Sequence, residues 1–203
     1  SLLKLRGTTM QLAVPVGEGA MAALMGPTVE ETEEIAAAAV EAGTEDEVCD
    51  VANDNAPGQV VVSGSTTAVE RAVEIGAERG AKRSVMLPVS APFHCALMQP
   101  AADAMEKALA ETTIAPPSVP IIANVSADEV CDPETVRTNL VSQVTARVRW
   151  RESVVCLKQK GVDTLVEAGP GKVLSGLARR IDRELSSTSI QGYEDIEAFL
   201  GSL

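Results

Sequence analysis

The chain contains one histidine, His94, and this residue is the first candidate for acid–base chemistry. Histidine is the only side chain whose ordinary pKa lies close to neutral pH, so it is the usual proton carrier in catalysis. An apolar, strand-like run ends at Val89, and a Ser-Ala-Pro-Phe turn then leads to His94 and a helix-like stretch. A lone histidine is also common as a surface or capping residue, so its type alone leaves both interpretations open.

Arg6 is the second candidate, and the run from Leu3 to Met10 around it predicts a helix. An arginine in such a helix is by default an exposed surface residue. Its planar guanidinium is also better suited than a lysine amine to hold a carboxylate through two hydrogen bonds. Arg6 is therefore either a solvated helix residue or a clamp for a carboxylate.

Two glycine-containing segments offer backbone groups rather than reactive side chains. Asn55 to Gln59 read Asn-Ala-Pro-Gly-Gln, which predicts a turn between two strands and needs no functional reason. Gly169 to Lys172 read Gly-Pro-Gly-Lys, which lacks the spacing of a phosphate-binding loop. This segment predicts a strand-to-helix turn with exposed amides, a weak indication of an anion site.

The four cysteines are scattered and form no CxxC pair; they are Cys49, Cys95, Cys131 and Cys156. With a single histidine available, this pattern argues against a metal site. Cys95 follows His94 directly, but sequence neighbours rarely turn their side chains toward each other, which argues against a thiol nucleophile. Single scattered thiols are typical of a reducing compartment, and we expect the protein in the cytoplasm.

Composition restricts the class of protein. A chain of 203 residues is one large or two small domains, and 45% hydrophobic with 2% aromatic residues predicts a core of Ala, Val, Leu and Ile. The net charge of −12 argues against a nucleic-acid partner, which requires a concentrated basic surface. No apolar run reaches the roughly 18 residues of a membrane helix, and no signal peptide is visible.

The first half of the chain predicts a β-α-β-β-α-β order. Strands are predicted at 19–26, 48–52, 59–64 and 83–89, with a turn at 53–58. Thr28 precedes a Glu-rich helix that ends at Gly43, and Thr66 or Thr67 caps a second helix that ends near Gly80. This order is the split βαβ pattern of a ferredoxin-like unit.

The second half alternates helices and strands, which indicates parallel α/β architecture. Helices are predicted at 96–111, from Asp132 to about 144, at 151–160 and from 169–171 through 185; strands are predicted at 119–125 and 162–168. This is too few strands for a self-sufficient doubly wound sheet.

Ordered blocks along nearly the whole chain resemble the malonyl-CoA:acyl carrier protein transacylases. Any one block is a weak signal, whereas their order is specific. They are Arg6-Gly7, Met10-Gln11, Ala13-Val14-Pro15, Gly17-x-Gly19 to Ala23, Asn55-x-Pro57 to Gly64, Pro88 to His94, Pro100-Ala101-Ala102, Asn124-Val125, Gln143, Val148-x-Trp150 and Glu167-x-Gly169 to Leu174.

The resemblance implies an α/β fold with a ferredoxin-like small subdomain at 13–89. This unit would be inserted in an incomplete α/β-hydrolase-like parallel-sheet domain formed by 1–12 and 90–203. It also implies a serine acyltransferase of fatty-acid synthesis that moves a malonyl group from malonyl-CoA to the phosphopantetheine thiol of acyl carrier protein. No cofactor beyond these substrates and no nucleic acid or membrane partner is expected, and we expect a monomer.

The resemblance also assigns roles to residues. His94 matches the general base, and Gln143 matches the residue whose backbone carbonyl orients the imidazole. Arg6 matches the arginine that pairs with the malonyl carboxylate. Substrate contacts are also expected at Met10, Asn55 and Phe93. The ring of Phe93 would disfavour a branched acyl group, by the small margin of a methyl-sized difference.

The chain departs from the family at its start. The family carries a Gly-His-Ser-x-Gly nucleophile motif a couple of dozen residues before the matching arginine, and a Gly-Gln-Gly-Ser-Gln loop near its N-terminus. Only five residues precede Arg6, and neither motif occurs in the 203 residues. We expect this chain to represent roughly the C-terminal two thirds of the family's domain and to be inactive alone. Two alternatives stay open: a non-catalytic ferredoxin-like binding module, and an acyltransferase domain of a polyketide or fatty-acid synthase.

Overall fold

The computed structural model describes residues 1–201; Ser202 and Leu203, the end of the predicted 90–203 domain, lie outside the described residues. The elements of the first half are α1 (Leu2–Leu12), β1 (Gly19–Met25), α2 (Val29–Glu41), β2 (Cys49–Ala56), β3 (Gln59–Ser65), α3 (Thr66–Glu78) and β4 (Arg83–Met86).

These four strands form one sheet in the order β2-β3-β1-β4, and neighbouring strands are antiparallel. In the centre, β1 pairs with β3 from Gly19↔Ser65 to Met25↔Gln59. Both strands are short apolar runs that are buried along most of their length. The order of helices and strands predicted for this half of the chain is therefore confirmed.

The two faces of the sheet carry different partners. Ala22 and Leu24 of β1 point to one face, where they pack with Ile35 of α2 and Val69 of α3. The alternate residues Met21 and Ala23 belong to a second cluster, which includes the partly buried Phe93. Because side chains alternate along a strand, β1 connects the helical layer to the segment that carries His94.

The predicted N-terminal cap of α2 is confirmed. The backbone N–H of Glu31 donates to the Thr28 hydroxyl over 3.2 Å, and the Glu31 carboxylate accepts from the Thr28 N–H over 2.8 Å. This capping box satisfies donors that the first turn of a helix leaves free. The cap of α3 is instead Ser65, so Thr66 and Thr67 are the first helical residues.

The second half begins with a short 3-10 helix (Ala96–Met98), followed by α4 (Gln99–Ala110), β5 (Ile121–Ala123), β6 (Asp128–Val130), α5 (Pro133–Ser142), α6 (Trp150–Gln159), β7 (Thr164–Ala168), α7 (Val173–Ile181), β8 (Ser186–Ile190) and α8 (Tyr193–Leu200). β5 and β6 form an antiparallel hairpin, and β7 and β8 form a parallel pair around α7. The chain is a mixed α/β protein, as its sequence predicts.

The two halves are joined along the edge strand β2. The N–H of Asp54 donates to the Val148 carbonyl over 2.9 Å, and the Val148 N–H donates to the Ala52 carbonyl over 2.8 Å. This short parallel bridge adds the segment before α6 to the four-stranded sheet.

Several predicted boundaries are wrong. The strands predicted at 83–89 and 119–125 are shorter, Arg83–Met86 and Ile121–Ala123. Residues 53–56 belong to β2 rather than to a turn, because two register irregularities let the polar Asn-Asp-Asn run stay paired with β3. The turn is only Pro57-Gly58, where Gly58 has a φ of +65°. The helix predicted through residue 185 ends at Ile181, and the following Ser-Ser-Thr-Ser run forms β8.

Among the described residues, no helix is long and apolar enough to cross a membrane. The buried clusters are built from Ala, Val, Leu, Ile, Met and Cys, in agreement with the low aromatic content.

Candidate active site

His94 lies in the loop between β4 and the 3-10 helix, and its backbone has a φ of +60°. A non-glycine residue rarely adopts this left-handed conformation, which costs on the order of 1–3 kcal/mol. Such strain is typical of functional positions, where the surrounding structure fixes the backbone. Contacts with neighbouring residues therefore hold the backbone of His94 in this conformation, and its imidazole is half-buried.

The imidazole contacts the end of α5. Its Nδ1 lies 3.0 Å from the backbone carbonyl oxygen of Gln143. Gln143 is the C-terminal cap of α5, and its own N–H donates to the Asn139 carbonyl over 3.0 Å. Because a carbonyl oxygen can only accept, this contact requires a proton on Nδ1. In the neutral ring Nε2 then carries the free lone pair.

The surroundings keep the imidazole neutral. Burial lowers the pKa of His94 below its ordinary value of 6.5, and the positive charge of Arg6 lowers it further. The backbone groups of Gln143 and Ala146 act in the opposite direction, since they stabilise the protonated ring. The net lowering favours the neutral form of the His94 imidazole near pH 7.

His94 opens onto a cavity of about 600 Å³ between the four-stranded sheet and the segment after α5. The polar residues on its wall are Glu33, Asp50, His94, Gln99, Thr145 and Arg147. The Asp50 carboxylate accepts a hydrogen bond from the Ala96 N–H over 2.9 Å and so fastens the chain just beyond His94 to β2.

Arg6 is half-buried on α1, and its charge acts on His94. Its Nε atom is buried, yet no group among residues 1–201 accepts a hydrogen bond from it. A buried guanidinium nitrogen without an acceptor is uncommon, because desolvating a charged donor is costly. Arg6 is not among the described residues that line the cavity of His94, so the structure shows an electrostatic effect of the guanidinium on the imidazole but no shared cavity wall.

Two hydrogen bonds join α1 to the loop that carries His94. The Gln11 amide donates to the Ser90 carbonyl over 3.1 Å, and the Ser90 hydroxyl donates to the Gln11 side-chain oxygen over 2.7 Å. The sequence gives neither residue a role by itself, because they lie 79 positions apart. This pair connects the helix of Arg6 to the loop of His94.

The other three predicted substrate contacts lie in different surroundings. Phe93 packs against two apolar clusters, one with α1 and α4 and the other beneath the sheet. The Met10 side chain is 3% exposed and packs in the first of these clusters. Asn55 lies at a register irregularity of β2. It is not one of the described residues that line the cavity of His94. Their predicted substrate contacts stay predictions.

Two buried thiols have environments that suppress nucleophilicity. Burial raises the pKa of Cys95 to about 11 and that of Cys49 to about 12. The Cys95 thiol donates to the Pro92 carbonyl over 3.1 Å. Since the thiolate is the nucleophile, these cysteines are structural.

The Gly-Pro-Gly-Lys turn does not offer free amides at the start of α7. The Glu167 carboxylate accepts hydrogen bonds from the N–H groups of Leu174 and Ser175 over 3.1 and 2.8 Å, and from the Ser175 hydroxyl over 2.8 Å. A carboxylate of the chain itself therefore occupies the place where the sequence weakly indicated an anion.

Comparison with known proteins shows which family the chain is similar to. The family described as Acyl transferase domain matches residues 2–193. The malonyl CoA-acyl carrier protein transacylase of Bacillus subtilis is 41% identical over 98% of this chain, which spans 62% of that protein. The crystal structure of an acyl-carrier-protein S-malonyltransferase from Bartonella henselae is 52% identical with a TM-score of 0.92, covering 99% of this chain and 63% of its own.

A further similar structure is a malonyl-transacylase in complex with a type II polyketide synthase acyl carrier protein. It is 38% identical with a TM-score of 0.94, and the match covers 100% of this chain and 64% of that one. The chain thus spans somewhat less than two thirds of the relatives that it resembles along its whole length. Sequence, fold and the match over residues 2–193 lead to one conclusion: this chain belongs to the acyl transferase domain family.

Proposed function

We propose that the protein formed by this chain and a nucleophile-bearing segment transfers a malonyl group from malonyl-CoA to the phosphopantetheine thiol of an acyl carrier protein. The observation that carries the proposal is the contact between His94 Nδ1 and the Gln143 carbonyl, 3.0 Å long, beside an open cavity. The transacylase relatives support the same reaction class. The nucleophile would be a serine outside these 203 residues, which contain no Gly-His-Ser-x-Gly motif.

In this proposal His94 is the general base. Its Nε2 takes the serine proton while the serine oxygen forms a bond to the malonyl carbonyl carbon. The bond from that carbon to the coenzyme A sulfur then breaks, and the imidazolium returns the proton to the leaving thiolate. In the second half the carrier-protein thiol gives its proton to His94, and its sulfur forms a bond to the carbonyl carbon of the acyl-serine. The bond from that carbon to the serine oxygen then breaks, and the imidazolium returns the proton to the serine oxygen.

Gln143 would position the base without a carboxylate partner. A carboxylate at Nδ1 would add a full negative charge and raise the pKa of the imidazole. A neutral carbonyl fixes the ring and its tautomer but leaves the lowered pKa of His94 in place. His94 therefore starts each half-reaction in the neutral form that can accept a proton.

Arg6 would hold the malonyl carboxylate. The buried, unpartnered Nε and the influence of the guanidinium charge on His94 support this role. A carboxylate that pairs with Arg6 would bring the thioester end of the same acyl group toward the base. Acetyl groups lack the carboxylate, so the clamp would select diacid-derived acyl groups. Met10, Asn55 and Phe93 complete the proposed set of substrate contacts.

The proposed domain division is a ferredoxin-like small subdomain at 13–89 within an α/β-hydrolase-like domain formed by 1–12 and 90–203. The antiparallel order β2-β3-β1-β4 and the two helices on one face support the first part. The parallel pair of β7 and β8 around α7 supports the second part, which would contain the sheet that the family completes with further strands.

Acyl carrier protein and malonyl-CoA are the proposed partners, without a further cofactor. The similar malonyl-transacylase in complex with an acyl carrier protein supports the first partner. All four cysteines are free thiols, which is consistent with the reducing environment of the cytoplasm. We place the reaction there.

The test is a transfer assay with a protein that joins the family's nucleophile segment to this chain. We expect malonyl transfer to holo acyl carrier protein, and a loss of roughly 10²- to 10⁴-fold in His94→Asn because a general base contributes that much. Asparagine is the suitable replacement because it tolerates the left-handed backbone of position 94. The 203-residue chain alone should be inactive. Transfer by His94→Asn at the unmodified rate would contradict the role of His94.

A further inference from the structure

We propose that the ion pair between Asp54 and Arg151 is a positioning device for the active site. It fixes the segment of residues 143–151, which we call the strap, so that the Gln143 carbonyl meets His94. The inference rests on the proposed role of His94 as the base, but its test below requires no enzymatic activity.

The pair has the geometry of a strong, oriented contact. Arg151 Nε lies 3.0 and 2.9 Å from the two carboxylate oxygens of Asp54, and Nη2 lies 2.8 Å from Oδ2. The Asp54 side chain is 1% exposed, so its charge has no access to bulk water. A buried carboxylate requires such a partner, and the two-point contact fixes direction as well as distance.

The strap is fastened to the sheet close to the same residue. Within the strap, Val148 exchanges two backbone hydrogen bonds with Ala52 and Asp54 of β2. Asp54 therefore holds the strap twice, through its backbone N–H and through its carboxylate. Outside the four-stranded sheet, the Arg149 guanidinium attaches the strap to the turn between β5 and β6 by donating to the Ser126 carbonyl over 3.0 Å.

The other end of the strap is at the imidazole. Gln143 accepts from His94 Nδ1, and the backbone of Ala146 also acts on the ring. Thr145 and Arg147 form part of the wall of the His94 cavity. His94 itself lies in the loop after β4, which belongs to the same sheet as β2. The attachment of the strap to β2 therefore acts on the distance between imidazole and carbonyl, together with α5, which ends next to Gln143, and the ion pair of Arg147 with Glu33.

Other charged groups near Arg151 do not replace Asp54. Glu30 and Glu152 also act on the guanidinium, but the hydrogen bond of Asp54 is the main cause that raises the pKa of Arg151. Glu152 is paired with Arg149. Removing the Arg151 charge would leave the buried Asp54 carboxylate without its partner and remove one of the attachments of the strap to β2.

The test measures the tautomer of His94 by ¹⁵N NMR on the 203-residue chain, in which it is the only histidine. Near pH 8 the neutral ring should carry its proton on Nδ1. In Arg151→Met we expect the fraction with the proton on Nε2 to rise roughly two- to tenfold, the factor that loss of one hydrogen bond of typical net strength produces. Arg151→Lys keeps the charge and should restore part of the original ratio.

Arg71→Met is the matched control. Arg71 forms a comparable half-buried pair with Glu47 and donates to the Ala39 carbonyl over 2.9 Å, away from the strap. We expect it to lower stability without changing the tautomer ratio. An unchanged ratio in folded Arg151→Met, or an equal change in Arg71→Met, would overturn the proposal. If Arg151→Met does not fold, Asp54→Asn decides: a rise of the Nε2 tautomer supports the proposal, and an unchanged ratio overturns it.

Discussion

At the scale of single residues, the site combines a neutral base with a cation that lacks a partner among the described groups. Burial and the charge of Arg6 both disfavour the protonated form of His94. The same Arg6 has a buried Nε without an acceptor within residues 1–201. An anionic substrate would provide the missing acceptor for Arg6. Its carboxylate would also screen the Arg6 charge from the imidazole and so weaken the repulsion of the protonated ring. In the proposed reaction the two residues would therefore be coupled through the substrate carboxylate.

The titration of His94 tests this electrostatic coupling. We expect an imidazole pKa below 6.5, measured by NMR on the chain's single histidine. In Arg6→Met the His94 pKa should rise, because a positive charge that disfavours the imidazolium is removed. A His94 pKa above 6.5 in the unmodified chain would contradict the assignment of a neutral base.

Substrate selectivity tests the clamp. In a protein completed with the nucleophile segment, Arg6→Ala should reduce malonyl transfer by about 10- to 100-fold, the range expected for loss of a charge-assisted hydrogen bond. The rate of acetyl transfer should not fall, because an acetyl group has no carboxylate that could pair with Arg6. Arg6→Lys should give an intermediate malonyl rate, since it keeps the charge but not the two-point geometry. An unchanged ratio of malonyl to acetyl transfer would exclude the clamp.

The residues found from the sequence are those with a local signal or a family match. His94 is conspicuous as the only imidazole, and Arg6 and Gln143 are identified by the resemblance. Pairs such as Gln11–Ser90 and Asp54–Arg151 were not predicted, because they join positions 79 and 97 residues apart. Single-sequence reasoning has no signal for such partners, whose side chains are ordinary surface types until the fold brings them together.

At the scale of elements, predictions succeeded where periodicity and capping residues act together. Thr28 and Asp132 cap α2 and α5 as predicted, through hydrogen bonds to the N–H groups of Glu31 and Thr135. β8 was missed because its Ser-rich sequence lacks an apolar pattern and is stabilised by backbone pairing with β7. The polar end of β2 was assigned to a turn for the same reason.

A glycine in β1 gives a test of how the sheet supports the active-site loop. A Cβ atom at Gly19 would overlap the ring of Pro92, two residues before His94. Gly19→Ala should therefore displace the loop and reduce the free energy of unfolding by about 1–3 kcal/mol, as overpacking does. The measurement is denaturant unfolding together with the NMR signal of His94, which should shift.

Gly76→Ala is the matched control for this substitution. Its Cβ would make ordinary contacts of 3.7 Å with Leu24, and the position is inside α3. Alanine there should be neutral or stabilise by up to about 1 kcal/mol through helix propensity, with the His94 signal unchanged. Equal effects of the two substitutions would mean that the contact between Gly19 and Pro92 does not constrain the loop.

At the scale of the whole molecule, the elements around His94 are attached to the four-stranded sheet at several strands, including both edge strands, β2 and β4. β1 carries the cluster beneath Phe93, β2 holds the strap, and β4 leads into the loop of His94. The first and second halves of the chain are thus connected through the segment that contacts the His94 imidazole. A substitution in this interface should change the NMR signal of the His94 imidazole more than the signals of distant elements such as α8.

The pH dependence of stability follows from the direction of the pKa shifts. Carboxylates such as Glu152 and Glu167 have lowered pKa values, caused mainly by hydrogen bonds from Arg149 and from the Ser175 N–H. They stabilise the fold above about pH 4.5 and lose that contribution as the pH falls through their lowered values. Between pH 7 and 5 they stay ionised in both folded and unfolded chains, so they add little slope there.

His94 makes the stability depend on pH between pH 7 and 5. Because its pKa is lowered in the folded state, the unfolded chain binds the proton more readily as the pH falls below the unfolded value of 6.5. The free energy of unfolding should therefore decrease from pH 7 to 5, with a slope of at most about 1.4 kcal/mol per pH unit for one proton. Urea unfolding at several pH values measures this slope. In His94→Asn the slope should vanish between pH 7 and 5 while the loss below pH 4.5 persists, and an equal slope in both proteins would show that other groups titrate in this window.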